Sequence, residues 1–289
     1  MEKVSVPAVR VDTDTGVEER LAHVPTPRGQ LYTWMARPPQ AHTCVLVCSS
    51  IFGDFTANYH RERNLGRTLS SRGHGVIRFH YAGEGNSMGE RRDMTFSSLC
   101  EDAVAVLDFA ASLGFSQFAV LGTRLGALVG AATVASMPSV PLALWEPVAV
   151  PLRLIGEAQR AKRISQTARG SEQPVDWREE LERNGVLDLL GFDIYPPLID
   201  SLESVDLLTV IGSEPRQVFV ANFRGQAGAD DPISGALIDR GFSVESGTFG
   251  VGESWWFQRE LPPETGDLVT ATSRWLCSVL TEADDASRD

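Results

Sequence analysis

Short apolar runs alternate with segments of helical periodicity along most of this 289-residue chain. The apolar run CVLVC at 44–48 is typical of a strand buried on both faces, whereas the segment after Thr95 places Leu99, Ala103 and Val106 on one helical face. Such alternation predicts an α/β fold, a mostly parallel sheet with helices on both faces. We expect eight strands, at 17–24, 31–36, 43–48, 76–81, 118–121, 142–145, 217–221 and 242–245.

The alternation breaks between residues 151 and 208. This stretch is charged, has helical character and shows no evident strand, and a connection of such length is better explained as an inserted helical lid than as a bare loop. We therefore predict a first part of the α/β core at 1–150, a lid at 151–208, a second part of the core at 209–281 and a disordered tail at 282–289.

Charge and composition exclude several classes of function. Asp and Glu number 38 against 26 Lys and Arg, a net charge of −12, which disfavours nucleic acids and anionic membrane surfaces as partners. The four cysteines are scattered, and no metal-ligand spacing is present, so we expect neither a metal nor another cofactor. No signal peptide or membrane-spanning stretch is visible, which predicts a cytoplasmic protein without membrane insertion. A small molecule is the expected partner, and a homodimer is left open.

The most informative motif is Gly122-Thr123-Arg124-Leu125-Gly126, which follows a predicted strand and opens a predicted helix. Its glycine spacing is that of the G-x-S-x-G nucleophile elbow. The segment SSIFGD at 49–54 resembles an oxyanion loop, and HYAGEGNS at 80–87 resembles a D-x-x-G-x-G-x-S segment.

Together these motifs resemble the α/β-hydrolase superfamily. The pieces LGTRLGALVG, LALWEPV, VLDLLGFDIYPPLIDSL and ESWWFQRELPPETGDLVTATSRWL are most similar to the second type of exosortase-associated hydrolase, over residues 29–280. The resemblance implies an α/β-hydrolase fold with an active site at the elbow. In that superfamily a serine occupies the middle of the elbow and a histidine follows the last strand. Here the middle residue is Arg124, and no histidine follows His80.

Arg124 cannot act as a nucleophile, because a guanidinium stays protonated. It is expected at a helix N-terminus, where the helix dipole already disfavours a cation unless an anion compensates. Two interpretations stay open and are compatible. Arg124 forms an ion pair with Glu146, or it binds an anionic group of a ligand together with nearby amides, including that of Leu125.

Other candidate residues flank this site. His60 could carry protons on the first crossover helix, or it could simply lie at a solvated helix start, and Asn58 and Arg61 accompany it as candidate substrate-binding residues. Phe52 lies in the expected oxyanion loop. His80 stands where an aspartate often begins the glycine-bearing segment, which gives it either a structural or a substrate-binding role.

Four more residues are expected near the predicted site. Trp256 follows the last strand and either lines the pocket or packs the last helix. Cys48 is expected to be a buried core thiol, and the neighbouring Ser49 and Ser50 have no evident base.

Three functions remain open. The first is an enzyme that performs hydrolysis, acyl transfer or rearrangement on a small activated carbonyl compound without a Ser-His-Asp triad. In it Arg124 binds or polarises the substrate, the Leu125 amide keeps an oxyanion-hole role, and His60 or Glu146 handles protons. The second is a catalytically inactive protein that binds a small ligand, and the third is a structural or partner-binding role through the lid.

Overall fold

The computed structural model describes residues 9–168, 176–223, 232–250 and 266–286. Its strands are β1 Val9–Val11, β2 Glu18–Thr26, β3 Gly29–Arg37, β4 Thr43–Cys48, β5 Gly75–Phe79, β6 Gln117–Thr123, β7 Leu142–Trp145, β8 Leu187–Leu189, β9 Phe192–Ile194, β10 Gln217–Asn222 and β11 Ser243–Thr248. Its helices are α1 Phe52–Ser70, α2 Phe96–Ser112, α3 Leu125–Thr133, α4 Leu152–Ala168, α5 Trp177–Asn184, α6 Pro196–Leu202, α7 Leu207–Val210, α8 Pro232–Asp239 and α9 Gly266–Ala286.

Within the described residues, nine strands form one sheet in the order β1-β2-β3-β5-β4-β6-β7-β10-β11. The pairs from β5 through β11 are parallel, and β1, β2, β3 and β5 pair antiparallel at one end. The predicted mostly parallel α/β sheet is therefore confirmed. The ninth strand is β1, whose three exposed residues are too few to establish an alternating pattern.

Two apolar layers cover the faces of the sheet. One face packs against α2 and α3, and the other against α1 and α9. Strand β4 contributes to both layers, with Cys44, Leu46 and Cys48 on the first face and Val45 and Val47 on the second. Burial on both faces explains its uninterrupted apolar sequence.

The predicted lid segment, 151–208, contains helices α4, α5 and α6, the start of α7 and also the antiparallel hairpin β8–β9. The hairpin was not expected, because three-residue strands are too short to show alternation. Leu187, Leu189 and Ile194 of this hairpin are buried and join the same apolar layer as α2 and α3. The lid segment thus packs on the face of the sheet that carries the elbow helix.

Two helix boundaries differ from the predictions. The sequence predicts a helix from Asn58 to Ser71, but α1 begins at Phe52, because Gly53 and Thr56 have low helix propensity and mask its first turn. Helix α9 continues to Ala286, so most of the segment 282–289 expected to be disordered is helical. Alanine and glutamate in this stretch favour helix even where apolar anchors end. The sequence also predicts Thr95 as the cap of a helix that ends near Leu113, and this is confirmed: Thr95 caps α2 with a reciprocal bond to Ser98.

Candidate functional site

Arg124 lies at a sharp turn between β6 and α3, with φ 54° and ψ −116°. This conformation is strained for any residue with a Cβ, and such strain is concentrated at functional sites. The flanking glycines make the turn sterically possible. A Cβ at Gly122 would lie 2.5 Å from the carbonyl oxygen of Gly126, and one at Gly126 would lie 2.0 Å from that of Cys48. The backbone therefore has the geometry of a nucleophile elbow, with an arginine at its centre.

The guanidinium of Arg124 is buried, with 10% of the side chain exposed, and three carboxylates surround it within the described part of the chain. Nε lies 3.3 Å from Asp54 Oδ2, Nη2 lies 2.9 Å from Glu157 Oε2, and Nη1 lies 3.8 Å from Glu146 Oε1. Burial alone would lower the pKa of Arg124, but the charges of Asp54, Glu157 and Glu146 outweigh it and hold that pKa above its usual value. With all three carboxylates ionised, the cluster has a net charge of −2.

Each carboxylate is brought to Arg124 by a different element. Asp54 lies in the first turn of α1, where the helix dipole favours an anion, and its side chain is only 9% exposed. Glu146 follows β7 directly with φ 43°, and its Oε2 accepts a hydrogen bond from the backbone N–H of Phe223. Glu157 lies on α4 of the lid segment and is 41% exposed. Glu157 is therefore the carboxylate most easily withdrawn from Arg124.

A buried polar network continues from Asp54 along α1. Asn58 Nδ2 donates to the backbone oxygen of Asp54 at 2.9 Å, and Arg61 Nη1 donates to Asn58 Oδ1 at 2.7 Å. The Arg61 guanidinium lies 5.5 Å from the centre of the Phe223 ring. Burial lowers the pKa of Arg61, and the charge of Glu62 offsets part of that shift. The structure thus joins the candidate residues Asn58 and Arg61 to the Arg124 cluster.

Phe52 and Leu125 begin the helices α1 and α3, beside this cluster. As the first residue of a helix, Leu125 has a backbone N–H with no acceptor inside that helix. Phe52 lines a mostly apolar cavity between the loop at 49–54 and the predicted lid segment, with Ile51, Asp54, Leu154, Ile155, Ala158, Leu189 and Ile194. The free volume of this cavity is about 10 Å³, close to the space one water molecule needs.

The remaining sequence candidates lie elsewhere. His60 is exposed on α1 and stacks edge-on against Tyr59, so the expectation that it shares a site with Arg124 does not hold in this arrangement. It lies two positions from Asn58, which places it on the opposite side of the helix. His80 is half-buried between Tyr32 and Phe55. Trp256 lies outside the described residues.

Sequence reasoning missed three carboxylates at this end of the sheet: Asp54, Glu157 and the fully buried Glu62. Glu62 Oε2 accepts a hydrogen bond of 2.6 Å from Ser49 Oγ, which corrects the statement that this serine has no evident base. Asp54, Asn58 and Glu62 recur every four residues, so a polar stripe on α1 was a readable signal. Glu157 had no such signal, because charged residues are frequent throughout α4.

The described residues were compared with the requirements of a metal site and of a membrane-spanning helix. Among residues 9–168, 176–223, 232–250 and 266–286, no group of three or more His, Cys, Asp or Glu side chains is placed to hold a metal ion. In the same residues no helix is both long and apolar enough to cross a bilayer. Burial raises the pKa of the Cys48 thiol well above its usual value, in agreement with a core residue rather than a reactive thiolate.

No family model matches the sequence, and no curated protein matches it. Solved structures do match the fold. Est1E from Butyrivibrio proteoclasticus with ferulic acid bound superposes with a TM-score of 0.65 at 15% identity, over 90% of this chain and 99% of that one. Proline iminopeptidase from Mycobacterium smegmatis gives 0.60 at 18% identity, over 91% and 100%. Mouse alpha/beta hydrolase domain-containing protein 10 gives 0.60 at 14% identity, over 90% and 99%. The chain has the α/β-hydrolase fold.

Proposed function

We propose that this chain is an enzyme that acts on a small activated carbonyl compound, with an anionic group of the substrate held by Arg124, and that it does so without a Ser-His-Asp triad. The observation that carries the proposal is the buried guanidinium at the centre of a strained elbow, the position at which the superfamily places its nucleophile. Fold neighbours with esterase and peptidase names support carbonyl chemistry. The sequence motifs quoted above further suggest kinship with the second type of exosortase-associated hydrolase.

Charge balance dictates how an anionic substrate would bind. Arg124 already faces three carboxylates, so a further anion would bring the net charge of the cluster to −3. The electrostatic repulsion of a fourth anion is avoided if the substrate carboxylate takes the place of Glu157. The number of negative charges around Arg124 then stays the same. Because Glu157 belongs to α4, the exchange also loosens the lid segment from the elbow.

The other roles follow from position. The Leu125 N–H at the start of α3 stabilises a developing oxyanion, as a helix N-terminus favours negative charge. Glu146 is the proposed proton carrier, because it reaches Arg124 and is partly open to solvent. His60 has no part in this scheme.

A matched pair of esters tests the proposal. Mono-p-nitrophenyl adipate carries a free carboxylate, and p-nitrophenyl hexanoate has the same chain length without one. Glu157→Gln removes the competing lid carboxylate and should lower the KM for the adipate ester about 2- to 5-fold, with little effect on the hexanoate ester. Arg124→Met should lower kcat/KM for the adipate ester at least about 10-fold more than for the hexanoate ester.

Glu182→Gln is the matched control, since Glu182 is exposed on α5 of the same lid segment. It should leave both esters unaffected. Turnover of both esters with no difference between Arg124→Met and the parent protein would contradict the proposal.

A second candidate is a catalytically inactive protein that binds a small ligand. It is favoured by one observation: the charge of Arg124 is already satisfied within the chain, as expected of a structural ion cluster. Binding of the adipate ester without release of p-nitrophenol, measured by calorimetry and absorbance, would identify this case.

A further inference from the structure

A second cleft opens on the other side of the oxyanion loop. It lies at the carboxyl ends of β4 and β5, beside the first turns of α1, and is lined by Ser49, Ser50, Phe55, His80, Tyr81 and Glu84, among others. In open α/β sheets, ligands bind at this edge. Its free volume is about 10 Å³, enough for a group of the size of one water molecule. It therefore admits a single carbonyl group, with the rest of a substrate at the mouth.

Ser49, which lines this cleft, is hydrogen-bonded to a buried carboxylate. Its Oγ donates to Glu62 Oε2 at 2.6 Å, and Arg78 Nη2 lies 3.2 Å from the same oxygen. Glu62 is completely buried, and its Oε1 has no hydrogen-bond partner within the part of the chain that the structure describes. A buried carboxylate with one unsatisfied oxygen is costly. A purely structural acceptor would be expected to use both oxygens.

Two hydrogen-bond donors line the same cleft. The N–H of Asn86 donates to His80 Nδ1 at 2.9 Å, so the neutral imidazole carries its proton on Nε2. Burial, with a smaller contribution from Arg78, lowers the pKa of His80 to about 4, which keeps the ring neutral at physiological pH. Ser50 is buried, and no partner for its Oγ is found in the described ranges. Both groups can donate to an oxyanion.

We propose that Ser49 is the nucleophile and Glu62 its general base, with His80 and Ser50 as oxyanion donors. The inference rests on the carbonyl chemistry proposed above and supplies the nucleophile that Arg124 cannot be. In it, Glu62 replaces Glu146 as the group that carries the proton, and His80 and Ser50 replace the Leu125 N–H as donors to the oxyanion. Ser49 Oγ forms a bond to the carbonyl carbon of an activated ester while its proton passes to Glu62, and the carbonyl π electrons move to oxygen. Collapse of the adduct expels the leaving group, which takes the proton from Glu62. Water then repeats the sequence on the acyl-serine and releases the acid.

A fluorophosphonate probe tests this assignment in the full-length protein. Attack of Ser49 Oγ on phosphorus displaces fluoride and leaves a stable adduct, which peptide mass spectrometry locates. We expect the label on Ser49 in the parent protein and no label in Ser49→Ala. Ser50→Ala should keep the label on Ser49 at a rate lowered about 10-fold or more, and Glu62→Gln should lower it about 100-fold or more.

Ser112→Ala is the matched control, because Ser112 is exposed at the end of α2, and it should label at the parent rate. Circular dichroism and thermal unfolding establish that each variant is folded. The mapping in the parent protein needs no variant: a folded parent that stays unlabelled, or that carries the label on another residue, overturns the assignment.

The two proposals fail separately. Ester turnover that depends on Arg124 in a protein whose Ser49 stays unlabelled removes only the Ser49–Glu62 assignment. A labelled Ser49 in a protein that hydrolyses neither p-nitrophenyl ester removes the proposed substrate chemistry and leaves the reactive serine standing.

Discussion

Replacing Arg124 with methionine should destabilise the protein strongly, because it removes a buried guanidinium from its contact with a buried carboxylate. Asp54 and Arg124 lie 3.3 Å apart with 9% and 10% of their side chains exposed. Removing one partner of a buried ion pair costs about 3–5 kcal/mol, since the remaining charge stays desolvated. Methionine is similar in length and apolar, so little of the loss should come from a cavity.

The three contacts of Arg124 should differ in energy according to burial. The ion pair with Glu157 is shorter, at 2.9 Å, but Glu157 is 41% exposed. Solvent screens such pairs, which are worth about 0–1 kcal/mol. Glu157→Gln should therefore cost less than about 1 kcal/mol, although it removes the shortest contact. Adding Asp54→Asn to Arg124→Met should restore at least about 1 kcal/mol of stability, because the buried side chain that has lost the contact with Arg124 is then uncharged.

Urea unfolding followed by tryptophan fluorescence and circular dichroism measures these differences, provided that the slope with urea stays constant among the variants. Arg92→Met serves as control, because Arg92 is 67% exposed, and it should change stability by less than about 0.5 kcal/mol. If Arg124→Met costs no more than Glu157→Gln, or if Asp54→Asn adds to its cost, the cluster does not hold the elbow as described.

Two further predictions concern pH and packing. The pKa of His80 is lowered from 6.5 to about 4 in the folded protein, so the unfolded chain binds the extra proton first and stability should fall as the pH drops from about 6.5 to 4. Urea unfolding at pH 7 and pH 4.5 measures this loss of stability, and His80→Asn should make it smaller by about 2–3 kcal/mol. An equal loss of stability between the two pH values in both proteins would refute the prediction. Gly126→Ala places a Cβ 2.0 Å from a backbone oxygen and should lower the free energy of unfolding by about 3 kcal/mol or more. Gly156→Ala, on an open side of α4, should leave that free energy unchanged or raise it by up to about 1 kcal/mol. Similar melting temperatures for the two glycine variants would contradict the packing at the elbow.

The periodicity of apolar residues was sufficient to predict the sheet and most helices, because the buried positions of β4 and α2 form a clear apolar pattern in the sequence. It failed where elements are short or exposed, as in β1 and the hairpin β8–β9, since three residues cannot establish a period. The prediction of a disordered tail at 282–289 is wrong for residues 282–286, which continue α9, since alanine and glutamate have high helix propensity.

The sequence predicts site residues only where a motif marks a position that the order of strands and helices then places in space. The glycine spacing placed Arg124 at the elbow, and its contact with Glu146 was foreseen from adjacent strands. Asp54 and Glu157 are nearer to the guanidinium, yet they come from a helix start and from the lid segment. Which carboxylate meets which cation depends on tertiary packing. Pattern alone also placed His60 beside Asn58 without deciding that the two residues face opposite ways.

The main chain at Arg124 and Glu146 has consequences for engineering. Both residues adopt positive φ directly after neighbouring strands, a conformation that costs about 1–3 kcal/mol at each position whatever non-glycine side chain is present. The folded protein already bears that cost, and steric constraints on the flanking glycines keep the turn in place. Exchanging the side chain at position 124 thus requires no rebuilding of the backbone. With Asp54→Asn added to relieve the buried charge, the chain offers a scaffold in which serine and cysteine can be installed at position 124 and compared on the same turn.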